Sequence, residues 1–513
     1  METSHHHERR HPGPLWVIGG GAPWGQQPTG NHYPTGAGVL RTVLTLALCL
    51  LLTVAAPVEA GINLPEIGDP ASALLSPSQE QQLGRTLLRE VRRTLPLSND
   101  PILLGYVEAL GQRLVSSAPD AHPNFTFLVV DDPRINAFAM PGGIIGINTG
   151  LIDAARNEGE LAAVIAHEIA HVTQRHIARA YAGSTRIDLA TGLAVLAGII
   201  ASAHAPEVGQ AAIIGGMAGA AQARINFTRA HEQEADRIGI SILAAAHYDP
   251  QSMPGFFERM LQLSGGAGES VPEYLRTHPV TSSRITDSRL RADQYSGDFR
   301  TDSQAFQMIR ARVQALHEPA RVIDHHTRSR RDKENGNVAG YYGHAIALIQ
   351  RGQTRQALEL LHKASDATGE DLYLSLAKAE AHMAARPADH PAALAILERL
   401  NDLYPGHLPV TQIHVQALIG AGDYGRAIQR VDSWPASTST APELLRLKAD
   451  AAARLGREAV SHETLAEYYF HHGQYRETVR QLDMALVAPD LTWHVEERVR
   501  SKRAIALRFV DHR

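Results

Sequence analysis

His167 and His171 stand four residues apart, in the order His167-Glu168-Ile169-Ala170-His171. On a helix that spacing places both imidazoles on one face, where they can hold a single metal ion. Two histidine nitrogens suit zinc. Glu168 follows the first histidine directly and can take a proton from a water polarised by the metal, as attack on a peptide carbonyl requires. The surrounding stretch supports a helix. Asn157 can cap it, with Glu160 as the reciprocal partner three residues on, and Leu161 to Val172 is apolar on nearly every side. Two satisfied core histidines are the alternative, and so apolar a helix leaves them little to be satisfied by.

Zinc needs a third protein ligand. If it were a histidine six residues beyond His171 it would stand at position 177, which is Ile177, and Gln174 takes the place where that pattern wants glycine. His176 is one residue early and reads as a polar surface residue. The better source is the run His231-Glu232-Gln233-Glu234-Ala235-Asp236 on a helix expected from about Ala230 to Ala246. Glu232 and Asp236 share a face, so Glu232 can ligate while Asp236 accepts a hydrogen bond from the far nitrogen of a ligating histidine. Glu234 points to another face, and His231 remains a rival ligand. An ordinary surface run of acids is the alternative.

These two helices need a frame. Ser76 to Ser117 carries helical apolar spacing, while Phe125 to Val130 and Ala137 to Asn148 read as strands, the second broken by Pro141-Gly142-Gly143. Ile135 to Met140 is expected near the active site, either as an edge strand that a substrate could extend or as an internal strand. The small-residue runs Leu189 to Ala203 and Ala211 to Ala221 are too short to span a bilayer. They read as a packed helical hairpin, with peripheral membrane contact as the alternative.

With 513 residues the chain exceeds one ordinary core. Its formal net charge of -5 provides no basic footprint, so nucleic acid is not an expected partner. The one cysteine, Cys49, lies in an apolar run from Val43 to Ala56, between Arg41 and the small residues that end at Ala60. Residues 40–60 therefore read as a cleaved signal peptide, with an uncleaved anchor as the alternative. Removal would leave no cysteine and no disulfide. Residues 1–39 read as a disordered extension or a start assigned too early. The expected division continues with a metallopeptidase domain at 61–300 and a helical repeat domain at 301–513. In the latter, similar turns recur at Gly352, Gly422, Gly456 and Gly473. The step from Gly422 to Gly456 is 34 residues, the tetratricopeptide period, and that from Gly352 is close to two such periods. Stacked hairpins of this kind leave a concave face for a partner.

At Asn136-Ala137-Phe138-Ala139-Met140-Pro141-Gly142-Gly143, at the His167 motif, at Glu232 with Asp236, and at Thr277-His278-Pro279 with Ser283-Arg284-Ile285, the chain resembles zinc metallopeptidases of the CAAX-prenyl-protease and heat-shock membrane-protease type. The resemblance covers about Ser76 to Ala292. It implies an α+β zincin-like domain, mostly helical with a small sheet, followed here by an all-α tetratricopeptide-like repeat domain. With the signal peptide and repeats added, it implies a periplasmic zinc endopeptidase, with one zinc per chain, in outer-membrane protein quality control. Unfolded or misassembled outer-membrane proteins would be its substrates, and the outer-membrane assembly machinery would meet its repeats. The resemblance also places the His278 loop near the zinc. There His278 either fills the fourth metal position and keeps the enzyme latent, or merely packs the loop. A periplasmic tetratricopeptide scaffold or chaperone with a latent zinc site is the rival function.

Overall fold

The computed structural model describes residues 76–119, 124–182, 229–264, 271–329, 338–434 and 441–510. The N-terminal extension, the signal-peptide segment and the two small-residue runs lie outside the described residues. Among the described residues, no helix is long and apolar enough to cross a membrane.

Helix α1 (Pro77–Thr94) opens on a capping box: the Ser76 hydroxyl accepts from the Gln79 N–H, and the Gln79 side chain accepts from the Ser76 N–H. Helix α2 (Pro101–Ser116) is capped by Asp100, whose carboxylate accepts from the N–H groups of Ile102 and Leu103. Three short strands follow: β1 (Thr126–Val130), β2 (Ala137–Met140) and β3 (Ile144–Asn148). Their order is β1-β3-β2, with β1 parallel and β2 antiparallel to β3. Pro141-Gly142-Gly143 thus closes a β2–β3 hairpin and leaves β2 at the edge of the sheet. The short α3 (Thr149–Ala154) leads into α4 (Glu158–Thr173), which bears the two-histidine motif and packs on α2 and on β2. Asn157 caps α4 by accepting from the Glu160 N–H, but the Glu160 carboxylate turns back to the Arg156 N–H and to Arg259 rather than to Asn157.

Around α4 stand α5 (His176–Ala182), α6 (Arg229–Ala245), α7 (Ser252–Ser264), α8 (Glu273–Thr277) and α9 (Ser282–Ala292). The rest of the described chain is helical: α10 (Gln304–His317), α11 (Pro319–Ser329), α12 (Val338–Gln350), α13 (Thr354–Thr368), α14 (Leu372–Ala384), α15 (His390–Leu403), α16 (Leu408–Gly420), α17 (Tyr424–Asp432), α18 (Pro442–Arg454), α19 (Glu458–His471), α20 (Tyr475–Leu486) and α21 (Trp493–Val510).

The four recurring glycines end helices α12, α16, α18 and α19, at φ 72°, 80°, 70° and 66°. At each, the glycine N–H and the next N–H return to the last turn, as in Gly422 to Ile419 and Asp423 to Leu418. That is a left-handed helix stop, which glycine adopts without a Cβ penalty. Gly352, Gly422 and Gly456 join the two helices of a hairpin, whereas Gly473 joins one hairpin to the next helix. Apolar clusters follow one another along this array, as in a repeat stack whose units bury their faces on neighbours.

Hydrophobic packing runs through residue 300. Phe306, Ile309 and Val313 of α10 and Leu376, Leu397 and Ile413 of the repeats share one buried cluster with Leu161, Ile165 and Phe256 around the motif helix. At this junction Arg312 meets Asp100 at 2.7 Å and grips Glu380 with two nitrogens at 2.9 and 2.6 Å. At the far end the array returns to α1, where the Arg92 guanidinium donates to the His471 carbonyl at 2.8 Å.

Candidate active site

The motif helix is wrapped on all sides, and His167, Glu168 and His171 are fully buried. Helix α6 lies close against it. A Cβ added to Gly239 would stand 3.3 Å from the His167 amide nitrogen and 2.8 Å from Met253 Cε, so the close approach depends on glycine there. That approach delivers Glu232 and Asp236 to the two histidines.

His167, His171, Glu232 and His278 bring four donor atoms together, all buried. His171 Nε2 is 3.0 Å from His167 Nε2, and Glu232 oxygens stand 3.5 Å from His167 and 3.4 Å from His171. His278 Nδ1 is 3.4 Å from His167 Nε2 and 3.1 Å from Glu232 Oε1. Nitrogen and oxygen ligands at about 2.05 Å from a tetrahedral zinc stand about 3.3 Å from one another. The observed spacings bracket that edge, so the donor set fits a metal ion. His231 stands apart from this group, stacked on His176 with ring centroids 4.6 Å apart.

The charges around the cluster follow from its burial. Burial works to raise the Glu232 carboxyl, but His278, His167 and His171 outweigh it and hold it well below the usual range. Burial works to lower His167, yet Asp236 and Glu232 hold its imidazole up at about 9. Burial drives His171 well below its ordinary value and so favours its neutral form. Glu168 is raised by burial, against the opposing pull of His278 and His167. Its Oε1 lies 3.4 Å from His278 Nε2.

Asp236 faces His167 Nδ1 at 3.0 Å, off the line of a straight hydrogen bond. Behind it, Arg284 donates to both Asp236 oxygens at 2.7 Å. The same guanidinium lies 2.9 Å from Glu232 Oε2 and donates to the Pro279 carbonyl at 2.8 Å. One arginine thus ties α6 to the loop that carries His278, and its cation stacks over Phe257 at 4.9 Å. Arg284 stood in a recognisable motif, but nothing in its spacing pointed to Asp236. Tyr274 was missed altogether; its ring stacks on that of His278 at 5.0 Å.

His176 overturns its expectation as a surface residue. It is fully buried, with Nδ1 2.9 Å from His171 Nδ1 and Nε2 3.1 Å from Glu234. The turn at Arg175 causes this, for its φ of 52° swings the chain back beneath α4.

A family model, peptidase family M48, matches residues 101–292, which hold the strands, the two-histidine helix, Glu232, Asp236 and His278. The chain is 37% identical to the beta-barrel assembly-enhancing protease of Yersinia pestis over 332 residues, 62% of this chain and 68% of that one. Against the same-named protein of Escherichia coli (strain K12) it is 37% identical over 343 residues, 65% of this chain and 70% of that one. The chain belongs to the beta-barrel assembly-enhancing protease family. It is a metalloendopeptidase of the M48 type, and it carries the family's peptidase region before a tetratricopeptide-like array. A more distant relative is the mitochondrial metalloendopeptidase OMA1 of Arabidopsis thaliana, 36% identical over 157 residues, 31% of this chain and 29% of that one.

Proposed function

We propose that this chain is a periplasmic zinc endopeptidase that hydrolyses misfolded or stalled outer-membrane proteins, with one zinc held by His167, His171 and Glu232. The observation that carries this reading is the buried donor cluster, its ligand atoms all within 4.8 Å of one another, with Glu168 beside it. Bound zinc would supply Lewis acidity, which polarises a carbonyl and makes a water acidic near neutral pH. Glu168 then takes the proton from the attacking water and passes it to the leaving amine. Asp236 orients His167, and Arg284 holds Asp236 in place. The edge strand β2 lies against the motif helix, and its Ala139 N–H faces Glu168. An extended chain adding to β2 through main-chain hydrogen bonds would reach Glu168 with little demand on sequence. That suits unfolded β-rich substrates, as the names of the relatives suggest.

Residues 61–300 would form the catalytic unit and residues 301–513 the surface that meets the outer-membrane assembly machinery. A second reading, a scaffold with a latent site, draws support from His278, whose Nδ1 occupies the fourth corner of the donor cluster.

The test combines elemental analysis with cleavage of unfolded casein. Wild type should carry one zinc per chain. His167→Ala and Glu232→Ala should lose it, and Glu168→Gln should keep it while losing hydrolysis. Full zinc in both ligand variants would refute the assignment, and undiminished cleavage by Glu168→Gln would refute the base.

A further inference from the structure

The two histidines of α4 are backed differently. His167 Nδ1 faces a carboxylate directly, that of Asp236 at 3.0 Å. His171 Nδ1 instead faces another imidazole, with His176 Nδ1 at 2.9 Å. His176 in turn places its Nε2 3.1 Å from Glu234 Oε2, and Arg179 closes the line with Nη1 2.9 Å from the same oxygen.

Proton counting fixes the direction of this chain. His171 Nε2 lies among the donor atoms of Glu232 and His167, so in a metal site it must present its lone pair there. Its proton then sits on Nδ1 and is donated to His176 Nδ1. A nitrogen that accepts carries no proton, so the His176 proton sits on Nε2 and is donated to Glu234. The chain ends on a carboxylate paired with a guanidinium. The reverse direction would put a proton on His171 Nε2, pointing into the donor cluster and blocking it. Only one of the two directions is compatible with a metal.

The backbone is shaped for this contact. Arg175 adopts φ 52°, a left-handed conformation that residues with a Cβ rarely take. That turn lies between His171 and His176 and folds the second ring back onto the first. His231 stacks on His176 with planes 16° apart, which holds the orientation of the buried ring.

We infer that His176, backed by Glu234, is a positioning residue that sets the tautomer and ring orientation of His171 through a histidine-to-carboxylate relay. The inference rests on the zinc reading of the site. It makes α6 serve both histidines, Asp236 directly for His167 and Glu234 through His176 for His171.

Zinc affinity of the purified full chain, measured by chelator competition, tests this independently of activity. His171→Ala serves as the control for the site itself. His176→Phe keeps a flat ring without the acceptor, and His176→Asn keeps a polar atom where Nδ1 stands. The phenylalanine variant should bind zinc about 10- to 100-fold more weakly, and asparagine should recover most of the loss. Wild-type affinity in the phenylalanine variant overturns the relay, as does equal weakening in both variants, which would report packing rather than the acceptor. Should the phenylalanine variant fail to fold, Glu234→Leu at the partly exposed end of the chain decides: a several-fold loss supports the relay and an unchanged affinity overturns it. If His171→Ala binds zinc like wild type, the zinc reading itself fails, an outcome distinct from failure of the relay.

Discussion

Replacing His278 by alanine should turn a restrained peptidase into an open one. The ring is buried at the fourth corner of the donor cluster, so a substrate carbonyl or water can take that corner only when the ring leaves. The structure bounds what leaving involves. With metal bound, the lone pair of His278 Nδ1 would face the ion, so its 3.1 Å approach to Glu232 Oε1 is a spacing between two ligand atoms and adds no hydrogen bond. What the ring gives up on leaving is its place at the metal and its stack on Tyr274 at 5.0 Å, the stack contributing about 0.5–1.5 kcal/mol. Opening therefore requires at least about 0.5–1.5 kcal/mol, which at about 1.4 kcal/mol per decade leaves at most roughly one molecule in 2 to one in 12 open at rest. A substrate or partner that favours the open loop must supply that difference. His278→Ala removes the requirement, and the three proposed ligands, His167, His171 and Glu232, would still hold the metal. Cleavage of unfolded casein at equal zinc occupancy should rise by at least about 2- to 12-fold over wild type. Unchanged cleavage would refute the plug, and the His278 ring would then be packing for its loop. Loss of cleavage would refute it in another way, by making His278 a hydrogen-bond donor to the transition state.

Two further outcomes follow from groups outside the site. Arg312→Met strands the carboxylates of Asp100 and Glu380 at the junction between α2 and the repeats, and should cost about 3 kcal/mol in denaturant unfolding; a loss under about 1 kcal/mol would show that apolar packing alone holds the junction. His414 is buried with neither ring nitrogen hydrogen-bonded among the described residues, and burial pulls its pKa down to about 4. Its folded form binds fewer protons than the unfolded chain, so the stability it contributes is present above pH 6.5 and declines toward pH 4 by up to about 3 kcal/mol. His414→Leu should flatten the melting temperature across that window, and an unaltered slope would show that His414 does not titrate there.

What was legible in the sequence was local. The two imidazoles of α4 and the two carboxylates of α6 could be placed because on a helix residue i+4 returns to the same face. The glycine stops of the repeats could be placed because a left-handed helix end asks for glycine, and the step from Gly422 to Gly456 is the 34-residue repeat period. The junction at residue 300 was harder to read. A fall in glycine and a rise in Ala and Leu mark a change of secondary structure, whereas hydrophobic packing continues through it because α10 inserts Phe306, Ile309 and Val313 beside the motif helix. Arg284 escaped for a related reason, since its partner Asp236 is 48 residues away and reaches it only through the packing of α9 on α6.

His176 shows how one uncommon backbone angle can hide part of a site. Counting along a continued helix puts residue 176 five positions past His171, about 140° around the axis and away from the metal face. The chain does not continue as that helix. Arg175 takes a left-handed turn that its residue type does not announce, and a histidine that reads as surface becomes the support of a buried ligand. The same reversal explains Glu234. Two positions along α6 from Glu232 it points about 200° away, so helical counting removes it from the metal. It nevertheless bears on the site, because His176 stands between it and His171. The inner donors of such a site can be found from spacing on two helices. Their supports are found only once the turn that folds one helix end back on itself is known.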